Sequence, residues 1–163
     1  MKYFKIIVVA LCLGLLYALY AFFLRQGHVS TIYQYKEYNK AWRTECRSTV
    51  VLVDDAPLSE FSLKRMWWRN SKEIIKKWEP FKSDCDDILF VNNKTSSPYY
   101  KSELTYWIGD SYICLNGALK NKKCISKEEQ LFVIQMRQST LADEKVGMVN
   151  RNPIYIHYIN YGG

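Results

Sequence analysis

Histidines, cysteines and clustered carboxylates are the residues in this chain that could do chemistry, and their spacing restricts them severely. His28 follows a long apolar run and His157 lies close to the C-terminal end; neither has a nucleophile or an acid at a telling interval. The G-x-S-x-G elbow, the H-E-x-x-H helix and the phosphate-cradling G-x-x-x-x-G-K-[ST] loop are all missing. Asp54-Asp55 and Asp84-Cys85-Asp86-Asp87 gather carboxylates without the D-x-D-x-D-G order of a calcium loop, so they read as turns and solvated loops. No C-x-x-C pair occurs and the histidines stand far from the cysteines, which disfavours zinc. The expectation is a non-enzymatic protein with no metal, no cofactor and no catalytic residue. A hydrolase reading would need folding to bring His157 beside acidic residues in a deep pocket.

Cysteine carries more information as a staple than as a reagent. Cys12 sits in the apolar run, which leaves Cys46, Cys85, Cys114 and Cys124, an even number in a domain of about 135 residues. Two disulfides in an oxidising compartment fit this count, against the alternative of four free thiols in a reducing one. Of three connectivities, Cys114 with Cys124 and Cys46 with Cys85 is preferred, because the first closes a short loop.

These residues are positioned relative to a membrane. Ile6 to Leu24 runs nineteen residues without a charge, about 28 Å as a helix and close to the hydrocarbon thickness of a bilayer. Lys2 and Lys5 precede it. Its exit, Tyr17-Ala18-Leu19-Tyr20-Ala21-Phe22-Phe23-Leu24, is bulky and lacks a small-residue cleavage pattern, and Leu11 before Cys12 does not suit a lipoprotein site. An uncleaved anchor is expected. Basic residues on both sides leave orientation undecided by charge, and the cysteines place the larger part outside the cytoplasm. The divisions are a cytoplasmic tip at 1–5, a transmembrane anchor at 6–24, a stalk at 25–30 and one domain at 31–163.

Within that domain Val29–Tyr38 and Thr49–Val53 read as strands. Ser59–Trp78 then reads as a helix between Pro57 and Pro80, with Leu63, Trp67, Ile74 and Trp78 on one face. Further strands are expected at Ile88–Val91, Leu104–Ile108, Tyr112–Leu115, Leu131–Arg137 and Ile154–Ile159, with turns at Gly109-Asp110-Ser111 and Asn116-Gly117. The fold class is α+β: a small, mostly antiparallel sheet packed on one amphipathic helix.

Opposite the apolar helix face lie Arg65, Arg69, Lys72 and Lys76, flanked by Trp68 and Ile75. Such a stripe is either a solvated surface or a contact face for anionic lipid or an acidic protein. The formal charge is +7, and the residues beyond Lys2 and Lys5 retain +5, which favours acidic partners and membrane surfaces. Thirteen tyrosines, seven phenylalanines and five tryptophans exceed what a small core needs and supply rigid contact surface. The expected partners are the bilayer and another protein, with nucleic acid disfavoured by the compartment. Arg65, Trp68, Arg69, Lys72 and Lys76 are the candidate binding residues.

Several stretches together resemble a family of enterobacterial inner-membrane proteins of unknown function. They are the apolar start, Val51-Leu52-Val53 leading through Pro57-Leu58 into the helix, Trp67-Trp68 with Asn70 and Lys72, and Trp78-Glu79-Pro80. Ile113-Cys114-Leu115, Lys123-Cys124-Ile125 and Leu131-Phe132-Val133 complete the likeness. The pair Cys46 and Cys85 and the strand-like start between residues 29 and 47 depart from it. The resemblance implies no activity, but it implies a single-pass inner-membrane protein with a periplasmic domain, of a kind that accompanies secreted antibacterial toxins. An immunity protein that binds such a toxin is the expected function, and a structural or assembly factor of an envelope complex is the alternative. There the row Ala10, Gly14 and Ala18 would pack the anchor against another helix.

Overall fold

The computed structural model describes residues 2–159. Met1 of the expected tip, and Asn160 to Gly163 at the end of the expected domain, lie outside the described residues. The apolar run forms α1 (Lys2–Leu19), which continues into a single π-helical turn at Tyr20–Leu24. Tyr3–Leu24 is the one helix among the described residues long and apolar enough to cross a membrane, and almost all of it is uncovered by the rest of the chain. Those properties fit an anchor or a signal sequence.

Six strands form the main sheet: β1 (His28–Asn39), β2 (Thr44–Asp54), β3 (Asp87–Asn92), β7 (Gln130–Gln135), β8 (Glu144–Val149) and β9 (Asn152–Tyr158). Their order is β1-β2-β3-β7-β9-β8. Every ladder is antiparallel except β2 with β3. Parallel neighbours require a crossover, and α2 (Glu60–Trp78) provides it. Ser59 caps this helix by accepting the Ser62 amide, and Glu79 ends it in a left-handed conformation before Pro80.

The sheet is buried on both faces. On one, Val51 and Val53 of β2, Phe90 of β3, Phe132 of β7 and Ile156 of β9 form a single apolar cluster with Leu63, Met66, Trp67 and Ile74 of α2. Trp67 meets Phe90 edge-on with ring centres 6.1 Å apart, and Phe90 stacks on Phe132 at 4.4 Å. On the other face Val50, Leu52, Leu89 and Val91 contact Ile113, Leu115, Leu119 and Ile125. Ile113 and Ile125 belong to a second, three-stranded sheet of β4 (Thr95–Ser96), β6 (Cys124–Ser126) and β5 (Tyr112–Ile113), in that order, while Leu115 and Leu119 come from the 3-10 turns between β5 and β6. Continuous apolar runs such as Val50-Val51-Leu52-Val53 follow from two-sided burial.

Sulfur atoms stand at disulfide distance in two pairs. Cys46 of β2 meets Cys85, just before β3, and Cys114 meets Cys124 across the small sheet. Cys12 is free and exposed on α1.

Three expectations need correction. Leu104–Ile108 is not a strand: Lys101–Thr105 is a 3-10 helix, and a single bridge joins Ile108 to Ile113. The carbonyls of Tyr106 and Trp107 accept the amides of Asn116 and Leu115, so this segment pairs with a turn instead of a strand. Tyr112–Leu115 likewise keeps only two strand residues before a 3-10 turn in which Leu115 and Asn116 adopt positive φ. Of the stalk at 25–30, His28, Val29 and Ser30 already belong to β1. Gly27, at φ +64°, makes the bend from helix to strand, and a Cβ there would stand 2.9 Å from both Met66 Sδ and Pro57 Cδ. The strand β8 has no alternating signal, because Glu144, Lys145 and Gly147 interrupt it at a bulge.

Candidate functional site

The basic face of α2 divides in two. Arg69 and Arg65 sit at the exit of the apolar helix, whereas Lys72 and Lys76 are exposed further along. Arg69 donates through Nη1 to the Gln26 side-chain oxygen and through Nη2 to the Gln26 carbonyl. The Ser59 and Ser62 hydroxyls both donate to the carbonyl of Phe22, at 2.5 and 2.9 Å. Arg25 reaches Asp55 through both its carbonyl (2.9 Å) and its carboxylate (3.2 Å). The terminal carbonyls of a helix normally lack partners; here α2 supplies them. Arg65 lies over the Phe61 ring at 5.6 Å. Exposed Trp68 instead sits beneath Lys64, which pairs with Glu144 of β8 at 2.6 Å. The structure thus separates Trp68 from the arginines at the helix exit.

Sequence spacing could not reveal a second candidate site. At the far ends of β1 and β2 a cleft of about 480 Å³ is lined by Tyr35, Tyr38, Arg47, Ser48, Asp87 and Trp107, among others. Tyr35 and Trp107 stack with centroids 5.4 Å apart. Ser48 and Asp87 are register partners on β2 and β3. Trp107, Ser48 and Asp87 line this cleft. Among the described residues the buried Trp107 Nε1 and Glu103 Oε2 find no hydrogen-bond partner, and Ser48 Oγ and Asp87 Oδ1 have none beyond each other. Such groups are rare in folded proteins because each costs about 1–3 kcal/mol. Burial pushes the Asp87 carboxyl up to about 6 against the opposing pull of a hydrogen bond from the Ser48 side chain, and neighbouring Asp86 adds a smaller upward push.

The other carboxylates of that segment are occupied. Asp86 accepts the amides of Arg47, Lys82 and Ser83 at 2.6–2.7 Å, tying β2 to the loop before β3. Asp84 faces Arg137, whose guanidinium lies 3.9 Å over the Trp42 ring. Among the described residues no three His, Cys, Asp or Glu side chains converge as metal ligands.

Folding does bring an acid to His157. Its Nδ1 stands 2.7 Å from Asp143 Oδ1, and the Asp143 side chain is 1% exposed. Burial alone would raise this carboxyl, but the Thr140 hydroxyl, the His157 ring and the Thr140 and Ser139 amides hold it well below the usual carboxylate range. The nearby Ser139 hydroxyl donates to Asp143, at 2.9 Å. A nucleophilic serine would instead be hydrogen-bonded to the imidazole. Asp143 orients the turn Ser139–Asp143 against β9 through these bonds, and neither large cleft is lined by His157.

No protein-family model, curated protein or solved structure matches the chain.

Proposed function

We propose that this chain is a non-enzymatic, single-pass inner-membrane protein whose periplasmic domain captures another protein, in the manner of the enterobacterial family it resembles. The observation that carries the reading is the distal cleft. A stacked Tyr35–Trp107 pair and exposed Tyr38 provide the rigid aromatic surface of an interface hot spot. Trp107 offers an unpaired donor, and the Ser48–Asp87 pair offers further acceptor positions, that an inserted loop of the partner would satisfy.

Retention of the apolar helix is supported by its exit. A segment destined for removal would have no reason to share hydrogen bonds with Ser59, Ser62 and Arg69, or to feed through a wedged Gly27 into β1. The paired cysteines support an oxidising compartment. Lys72 and Lys76, the free half of the basic stripe, would steer an acidic partner towards the domain.

The most concrete version is an immunity protein that occludes a secreted antibacterial toxin. A strain lacking this chain should then be killed on contact with its secretion-competent parent and survive beside a secretion-defective one. Equal growth beside both, while secretion is demonstrably active, removes immunity. An assembly factor is the second reading, favoured by Gly14, around which nothing of this chain lies within 4 Å of a built Cβ. Replacing residues 6–24 by an unrelated anchor would abolish that role and spare a binding domain.

A further inference from the structure

Where the apolar helix ends, Arg25, Arg65 and Arg69 line one small open cavity of about 50 Å³, together with Phe23, Leu24 and Ser62. No carboxylate lines it. The negative end of a helix dipole would ordinarily repel an anion here. That end is neutralised: the carbonyl of Tyr20 takes the Arg25 amide, the carbonyl of Phe22 takes two hydroxyls, and the carbonyl of Gln26 takes Arg69. Arg25 and Arg69 use part of their donor forks on Asp55 and Gln26. Arg65 makes no hydrogen bond or ion pair among the described residues; its guanidinium rests only on Phe61. Guanidinium groups match phosphate oxygens in geometry as well as charge.

From this arrangement we propose that the three-arginine cavity binds a phosphate group, supplied by an anionic phospholipid of the membrane that holds the helix. Depth selects the source. Leu24 is the last residue of the apolar span, so the cavity stands where hydrocarbon gives way to headgroups. Leu58 and Phe61 are exposed beside it at the start of α2, as interfacial side chains are. A phosphodiester bound there would fix the domain against the bilayer and leave the distal cleft free. The proposal rests on the membrane reading of the helix, so that reading needs its own control.

Native mass spectrometry of the full chain in detergent, with phosphatidylglycerol or phosphatidylcholine added, tests the site. The wild type should retain phosphatidylglycerol preferentially, and Arg65→Gln should lose about fivefold or more of that adduct. Lys76→Gln removes the same charge from the same helix and should retain it. Equal retention by wild type and Arg65→Gln, or equal loss from Lys76→Gln, overturns the site. Displacement of the lipid by millimolar inorganic phosphate would overturn the lipid as the source. Carbonate washing of cell membranes separates the two ideas: wild type and Arg65→Gln should both remain embedded, and release of the wild type would overturn the anchor and the lipid with it.

Discussion

Asp87 is the residue at which stability and the proposed binding role pull in opposite directions. Its carboxyl, near pKa 6 in the fold, lies about two units above the ordinary aspartate value near 4. The native state therefore holds an extra proton between pH 4 and 6, and stability falls as pH rises through that window. Above it the full cost of a buried, under-bonded carboxylate is present. Asp87→Asn should be more stable than wild type by about 1–3 kcal/mol at pH 7 and equal to it below pH 4, by urea unfolding in detergent. A less stable Asn variant at pH 7 would show the carboxylate to be structurally satisfied. Retaining a destabilising group is expected where function uses it. None of this was legible from the sequence, where Asp87 is one of three neighbouring aspartates. Only the register of β2 against β3 separates it from Asp86, which takes three amides, and Asp84, which faces Arg137.

Elements were legible wherever one physical signal dominated. The helix α2 announces itself by apolar residues at helical spacing between two prolines, β2 and β3 by apolar runs buried on both sides, and β9 by isoleucines alternating with tyrosine and histidine. What escaped were segments whose conformation depends on distant partners: β8 with its bulge, β6 with three residues, and the irregular stretch 101–123 that covers the second face. The staples compensate for that irregularity. Cys46–Cys85 spans 39 residues of sequence and Cys114–Cys124 spans 10, for which loop closure gives about 4 and about 3 kcal/mol respectively. Replacing each pair by serine should lower stability in that order, read from tryptophan fluorescence during unfolding. Because Cys46 and Cys85 also border the cleft, their loss should expose Trp107 to quencher before global unfolding. Unchanged stability in both variants would mean that the two links are not formed in the mature protein.

On the scale of the whole molecule, the chain places its apolar helix and its cleft at opposite ends of one long strand. From His28 to Tyr38, β1 advances about 33 Å. Arginines gather at the helix exit, and aromatic groups with unpaired polar atoms gather at the far end. The domain is hydrogen-bonded to its helix through α2, so the cleft points in a set direction relative to the apolar helix. The sequence revealed the apolar helix and the basic face but credited the whole stripe to one partner. Only the fold shows that Arg69 is committed to Gln26 while Lys72 and Lys76 remain free.

Capture through the distal cleft is most directly tested by rescue of a strain lacking this chain in contact with its secretion-competent parent. Wild type, Lys72→Glu/Lys76→Glu and Tyr35→Ala/Asp87→Asn variants would be compared at matched membrane levels. The wild type should restore survival, the lysine reversal should protect less well at low ionic strength with a deficit that shrinks as ionic strength rises, and the cleft variant should fail while remaining folded. Full protection by the cleft variant would contradict the assignment of binding to this end of the molecule.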